Sequence, residues 1–467
     1  MPELAIAREL VGLGGLVALF VLLALRMPVG IAMITVGIGG NYALSLAAPF
    51  LRFEPWLAQF KTLTWGVMSS YDLSVVPLFI LMGYLASEAN LARDLFQGAA
   101  AALGRLRGGV AMAAVGACGG FGAVCGSSLA TAATMGRVAL PELKRLHYAP
   151  RLATGALAAG GTLGILIPPS VALVIYAIIV EASIIEMFQA AVIPGFIAVL
   201  FFIGAIALQV RLNPSLAPAP LAMEPADRRA AYRRLIPVLL IFGTVILGLG
   251  FGLFTPTPAA AVGAFVVLAY GVGLRLFTGE GLGLAQIALA LRQTAVTSGM
   301  IYLILLGAEV LKGFFGRSAL PASLATWAAN SGLDPWLILV LMLLVLILLG
   351  CFMDSLAMIL VVVPFLWPVL VDLNGGDFAT PGTAAYGMST PDLKVWFGIL
   401  ALIVVELGLI TPPVGLNVFI ISSLDQETSM SETFRGVLPF FAVELVRIAL
   451  ILLVPALALT LPAWLGR

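Results

Sequence analysis

A chain of 467 residues in which 61% are hydrophobic and only 10% are charged has no room in a water-soluble fold. Its 24 basic and 23 acidic side chains leave a formal net charge of +1, which excludes a nucleic-acid-binding surface built on excess positive charge. Its three cysteines, Cys118, Cys125 and Cys351, fall singly in apolar or glycine-rich stretches, so neither a disulfide framework nor a thiolate metal site is expected.

Roughly 20 apolar residues cross a bilayer core, and backbone in contact with lipid must satisfy its own hydrogen bonds, so the sequence predicts an all-α polytopic membrane protein. In chain order, hydropathy predicts spans at 10–25, 28–48 and 73–90. The first is followed by "RMPVG" rather than a small-residue cleavage site and is kept as a span. The segment 109–140 is apolar but divided by the patch "CGSS", which suits a re-entrant hairpin whose tip is enclosed by protein or a watery cavity. Next comes 152–180, long enough to span yet interrupted by Gly164 and the pair Pro168–Pro169, then a span at 188–210. The charged, Pro/Ala-rich stretch 211–234 reads as a cytoplasmic linker, with a regulatory or lipid-binding role as the other reading. Beyond it follow spans at 235–253, 259–277 and 294–312, a second divided hairpin at 335–371, a second interrupted helix at 395–423 and a last span at 437–461. With the N-terminus outside, most Lys and Arg fall in inside loops, including Arg137, Lys144, Arg145, Arg228 and Arg229, so both termini are expected on the outer face.

The two halves, 1–210 and 235–467, repeat one another. Gly164 and Pro168–Pro169 recur 244 residues later as Gly408 and Pro412–Pro413. Ser128-Leu129-Ala130 and Pro141 recur 227 residues later as Ser355-Leu356-Ala357 and Pro368. Each half has a hairpin, a broken helix and a further span, and the predicted topology sets the hairpins on opposite faces. Inverted repeats with discontinuous helices are a signature of secondary transporters, which use the breaks to hold ions and substrate.

The chemistry follows from the breaks. Proline lacks an amide proton and clashes with the preceding turn, so carbonyls from Gly164 to Ile167 lose helical partners and suit a hard cation such as Na⁺. Gly126, Ser127, Gly164, Ile167, Asp354, Gly408 and Thr411 are the Na⁺ candidates. Amides opening the next half-helices, beside Pro169 and Ser170 and beside Pro413 and Gly415, suit a carboxylate. With them, Ser127, Ser128, Thr131, Asp354, Ser355 and Asn417 are the substrate-binding candidates. Each has a plainer reading: small hydroxyl residues let helices pack closely, Asp354 caps the hairpin's second arm, and Asn417 glues helices together. Glu406, six residues before Pro412, assists a cation or proton or else pairs with a basic neighbour. Glu444 and Arg447 read as an intrahelical pair, and the sole histidine, His147, as a solvated loop residue. No HExxH, no Ser/His/Asp set at membrane depth and no GxxxxGK[ST] loop occur, so neither a membrane enzyme nor an ATP-driven pump is expected.

Taken together, "RMPVGIAM", "VPLFILMGYLASEANL", "CGSSLATAATMG", "LGILIPPS", "GLFTPTPAAAVGAF" and "LGLITPPVGLNVF" resemble the large membrane subunit of the tripartite ATP-independent periplasmic (TRAP) transporters over nearly the whole chain. The resemblance implies Na⁺-driven import of an organic acid, such as a C4-dicarboxylate or sialic acid, across a bacterial inner membrane by an elevator motion. It implies two partners, a small four-helix membrane subunit and a periplasmic substrate-binding protein, and places both termini in the periplasm. A stand-alone divalent-anion/Na⁺ symporter is the alternative, distinguished by transport without a binding protein.

Overall fold

The computed structural model describes residues 2–48, 50–220 and 224–466, so 221–223 of the expected linker lie outside the described residues, as do Met1, Pro49 and Arg467. The protein is all-α; no strand occurs among the described residues. It opens with α1 (Pro2–Ala24), α2 (Val29–Ala47), α3 (Phe53–Met68), a 3₁₀ turn at Asp72–Ser74, α4 (Val75–Glu88) and α5 (Leu91–Leu103). Then come the hairpin arms α6 (Gly109–Cys125) and α7 (Ser128–Arg145), followed by α8 (Pro150–Leu166), α9 (Val171–Val180) and α10 (Ile184–Leu212). The second half holds α11 (Pro225–Gly250), α12 (Pro256–Thr278), α13 (Leu284–Ser318), α14 (Leu320–Asn330), α15 (Pro335–Gly350) and α16 (Ser355–Asn374). It closes with α17 (Thr390–Gly408), α18 (Leu416–Leu424), α19 (Met430–Leu453) and α20 (Ala456–Leu465). Eight of these helices are long and apolar enough to cross a membrane, or up to ten when each of two bent pairs is counted as a span.

Helix boundaries show where local chemistry overrides hydropathy. The helices α3, α5 and α14 lie in segments given no span, because their apolar residues alternate with charged or polar ones. α11 begins at Pro225, inside the expected linker, where a proline at the first helical position needs no amide partner. The last expected span is two helices, α19 and α20, divided at Val454–Pro455.

The chain forms two compact units, each drawing on both sequence halves. One gathers the residues up to Ser74 with 295–342 and 356–393; the other gathers 75–294, 343–355 and 394–467. The compact units are therefore not the two repeats. In the first unit, Arg317 donates to Asn41 Oδ1 at 2.7 Å and Arg8 Nε donates to the Arg317 carbonyl at 3.1 Å, tying α1 and α2 to α13.

In the second unit α6, α7, α18 and α19 all pack around α8. Close approach there depends on glycine: a Cβ at Gly155 would lie 2.6 Å from the Gly436 carbonyl oxygen, so α8 and α19 meet backbone to backbone. Trp396 Nε1 donates to the Ile451 carbonyl at 3.0 Å, holding α17 on α19. Glu444 and Arg447 form the expected pair within α19, both 2% exposed, and Arg447 Nη1 also reaches the Pro194 carbonyl of α10 at 3.2 Å.

Candidate functional site

The breaks and the first hairpin tip in the second unit are shaped by prolines, which restrict the backbone, and by glycines, which free it. Ile167, forced toward an extended conformation by the proline that follows, ends α8 at φ −83° and ψ 121°. Ser170 then starts α9, its Oγ accepting from the Leu173 amide at 3.4 Å. The helix axis turns by 46° across this break. In the first hairpin, Gly126 takes a left-handed φ of +60° between α6 and α7, and Ser127 caps α7 by accepting from the Ala130 amide at 3.4 Å. The second broken helix is interrupted after α17 and restarts as α18 from its N-cap Gly415, at φ +57°. The peptide within each Pro-Pro pair is cis.

The first hairpin tip lies against its own break. A Cβ on Gly126 would sit 3.1 Å from the Val171 nitrogen and 3.3 Å from the Pro169 oxygen. Gly164, the glycine before the first prolines, is so close to α7 that a Cβ there would meet the Ser127 oxygen at 2.8 Å, and one on Gly122 would meet the Gly164 Cα at 2.5 Å. Its counterpart Gly408 has the same setting: a Cβ would lie 2.6 Å from the Cα of Gly350, at the end of α15. Both repeats thus cross hairpin and broken helix at a pair of glycines.

Glu406 is the centre of this arrangement. Its side chain sits in the last turn of α17, 2% exposed, with Ser128 Oγ donating to Oε2 and Ser355 Oγ donating to Oε1 at 2.7 Å. Both serines are also 2% exposed, and they are the matched residues of the two repeats. Among the described residues no Lys or Arg pairs with Glu406, which removes the basic-neighbour reading. A carboxylate taken from water costs several kcal/mol unless its charge is compensated, so two neutral hydroxyls leave a demand that a cation or a proton can meet.

Two further polar side chains, Thr131 and Asn417, lie against the same face of α8. Asn417 Oδ1 is buried with no hydrogen-bond partner while its Nδ2 donates to the Ala158 carbonyl at 3.3 Å, and the buried Thr131 hydroxyl lies against the Cys125 thiol. Thr131 faces Gly164 and Asn417 faces Gly161, one helical turn away. A buried unpaired oxygen is expensive, and an oxygen acceptor of this kind suits a desolvated monovalent cation.

Of the residues expected in the site, Ser128 and Ser355 meet on Glu406; Gly126, Ser127, Thr131 and Gly164 lie together where the first hairpin meets its break, and Asn417 lies against Gly161 of α8. Asp354 is half-buried and immediately precedes α16, the place of a cap. The Ser170 hydroxyl is used locally on its own helix. The second break is tighter than bare carbonyls would suggest: the Gly408 carbonyl accepts from the Thr411 amide at 3.0 Å, and Thr411 Oγ1 donates to the Leu407 carbonyl at 2.6 Å. Pro168 and Pro169 are buried and Ile167 half-buried, whereas Pro412 and Pro413 are exposed and Gly415 is buried. His147 is exposed in its loop.

Charge near the end of α7 has a different use. Lys144 Nζ reaches Asp425 Oδ1 at 2.6 Å and Glu427 Oε2 at 2.9 Å, joining the first hairpin to the loop after α18. The hydrogen bond to Asp425 holds the Lys144 ammonium above its usual range.

Comparison with known proteins gives one consistent picture. A family model described as the tripartite ATP-independent periplasmic transporter, DctM component, matches residues 16–457. The C4-dicarboxylate TRAP transporter large permease protein DctM of Pseudomonas aeruginosa is 34% identical over 398 residues, covering 85% of this chain and 87% of that one. The sialic acid TRAP transporter large permease protein SiaM of Vibrio cholerae is 30% identical over 399 residues, covering 85% and 87%. The crystal structure of the YdaH transporter of Alcanivorax borkumensis shares the fold, with a TM-score of 0.56 and 17% identity over 89% of this chain and 90% of that one.

Proposed function

Since this chain belongs to the DctM-component family of tripartite ATP-independent periplasmic transporters, we propose that it is the large permease of a three-part system that imports a small organic acid with Na⁺. The observation that carries the ion is Glu406, a buried carboxylate with two serine donors and no basic partner among the described residues. Na⁺ is cargo here, entering with substrate and neutralising charge that the protein alone leaves uncompensated.

The substrate class rests on the relatives, which are named for C4-dicarboxylates and sialic acid, both organic anions. The half-helices beginning at Val171 and Leu416 each open directly after a Pro-Pro break, where the first amides and the helix dipole suit a carboxylate. In the proposed system a periplasmic binding protein delivers the acid, a small membrane subunit completes the permease, and the site moves across the inner membrane in an elevator cycle with both termini periplasmic.

The test is uptake by reconstituted liposomes holding this chain with its small subunit, supplied with the binding protein and radiolabelled succinate or N-acetylneuraminate. A Na⁺ gradient is expected to drive accumulation. With K⁺ replacing Na⁺ on both sides, accumulation is expected to be absent. Full uptake in K⁺ would refute Na⁺ coupling, and full uptake without the binding protein would assign the chain to stand-alone symporters.

A further inference from the structure

We propose that Glu406, besides its part in the site, couples the two hairpin tips, so that releasing one tip from the carboxylate loosens the other. This deepens the transport reading above, which supplies its purpose; its geometry stands on the contacts alone. One carboxylate oxygen accepts from Ser128 and the other from Ser355. Ser128 is the first residue of α7 and Ser355 the first of α16, so the two bonds fix the starts of the second arms of both hairpins. The two oxygens share one planar group, so a rotation of the Glu406 side chain that improves one bond disturbs the other.

Two details argue that this is a link rather than two separate caps. The cap of α7 is already supplied by Ser127, leaving the Ser128 hydroxyl for Glu406. The link is also one-sided. By the spacing of the Pro-Pro pairs, Thr162 occupies the place of Glu406 in the first repeat, and its hydroxyl donates to the Ala159 carbonyl at 2.6 Å within its own helix. A single carboxylate from the second repeat therefore serves both hairpins.

The experiment reads one hairpin while altering the other. The reporter is Ala130→Cys in a chain with Cys118, Cys125 and Cys351 replaced by alanine. Ala130 is half-buried on the first turn of α7 and lines a cavity of about 550 Å³ with Gly83, Tyr84, Thr134 and Arg137. The labelling rate by a small water-soluble maleimide is measured in detergent without Na⁺ or substrate. Ser355→Ala, on the far hairpin, is expected to raise the rate about tenfold, the effect of losing one hydrogen bond to a charged group. Ser128→Ala is expected to do the same, and the double variant no more than either alone. Glu406→Ala is expected to reproduce the double variant, and Glu406→Gln, which keeps an acceptor and a donor, to label at nearly the parent rate.

A parent-like rate in Ser355→Ala would overturn the proposal, and so would additive effects of the two serine changes, which report independent contacts. Monodisperse elution and an unchanged melting point identify variants that fold. If Ser128→Ala does not fold, Ser355→Ala and Glu406→Gln decide the matter between them. No gradient enters the measurement, so a failure of Na⁺-driven uptake and a failure of this coupling are separately visible.

Discussion

Uptake by Glu406→Ala falls to background, about 1% of the parent or less, while the protein still inserts and purifies. The variant removes two charge-assisted hydrogen bonds, each worth about 1.5–3 kcal/mol, and strands the Ser128 and Ser355 hydroxyls in a buried setting. It also removes the negative charge that makes the site attractive to a cation. Glu406→Gln separates the two losses, because an amide accepts from one serine and donates to the other while carrying no charge. Its half-saturating Na⁺ concentration is expected to rise at least about tenfold, the factor that ~1.4 kcal/mol represents. Initial-rate uptake across a Na⁺ titration measures both variants, and parent-like uptake by Glu406→Ala would remove the residue from the mechanism.

The second large effect is expected at the glycine crossings. A methyl at Gly408 would lie 2.6 Å from the Gly350 Cα, and a methyl at Gly164 would lie 2.8 Å from the Ser127 oxygen, both far inside van der Waals contact with backbone. Backbone cannot rotate away as a side chain can, so the helices must separate, at about 1–3 kcal/mol for each overpacked site. Separation there displaces the hairpin tip from its break, and Gly164→Ala and Gly408→Ala are each expected to lose at least about tenfold in uptake. Gly116→Ala, with open space around its Cβ, is the control and is expected to transport normally. Parent-like uptake by Gly408→Ala would show that the tip does not need this close approach.

Much of this architecture is written in punctuation that a sequence displays. The expected hairpins 109–140 and 335–371 correspond to α6–α7 and α15–α16, because "CGSS" and "CFMDS" cannot continue an apolar helix. The expected interruptions at 152–180 and 395–423 correspond to α8–α9 and α17–α18, because paired prolines remove consecutive amides. Glu406 was visible only as an ionisable group at membrane depth. Its partners are 278 and 51 residues away in sequence, and no local pattern reports that two repeated serines meet on one carboxylate. The division into compact units escaped for the same reason: it depends on contacts between halves, whereas spacing reveals only how each half resembles the other. α3 escaped because Glu54 and Lys61 dilute its apolar signal below that of a span.

The meeting of α8 and α19 at Gly155 and Gly436 has a genetic consequence. Most core clashes can be suppressed by a second mutation that trims the neighbour, because the neighbour has a side chain to lose. Here the neighbour is already glycine and the colliding atoms are main chain: the Gly436 carbonyl for a Cβ on Gly155, and the Arg151 carbonyl for a Cβ on Gly436. A selection for regained growth starting from Gly155→Val is therefore expected to return true revertants to glycine at codon 155 and none at codon 436. Such positions are evolutionary ratchets, free to shrink once and closed to enlargement from either side thereafter.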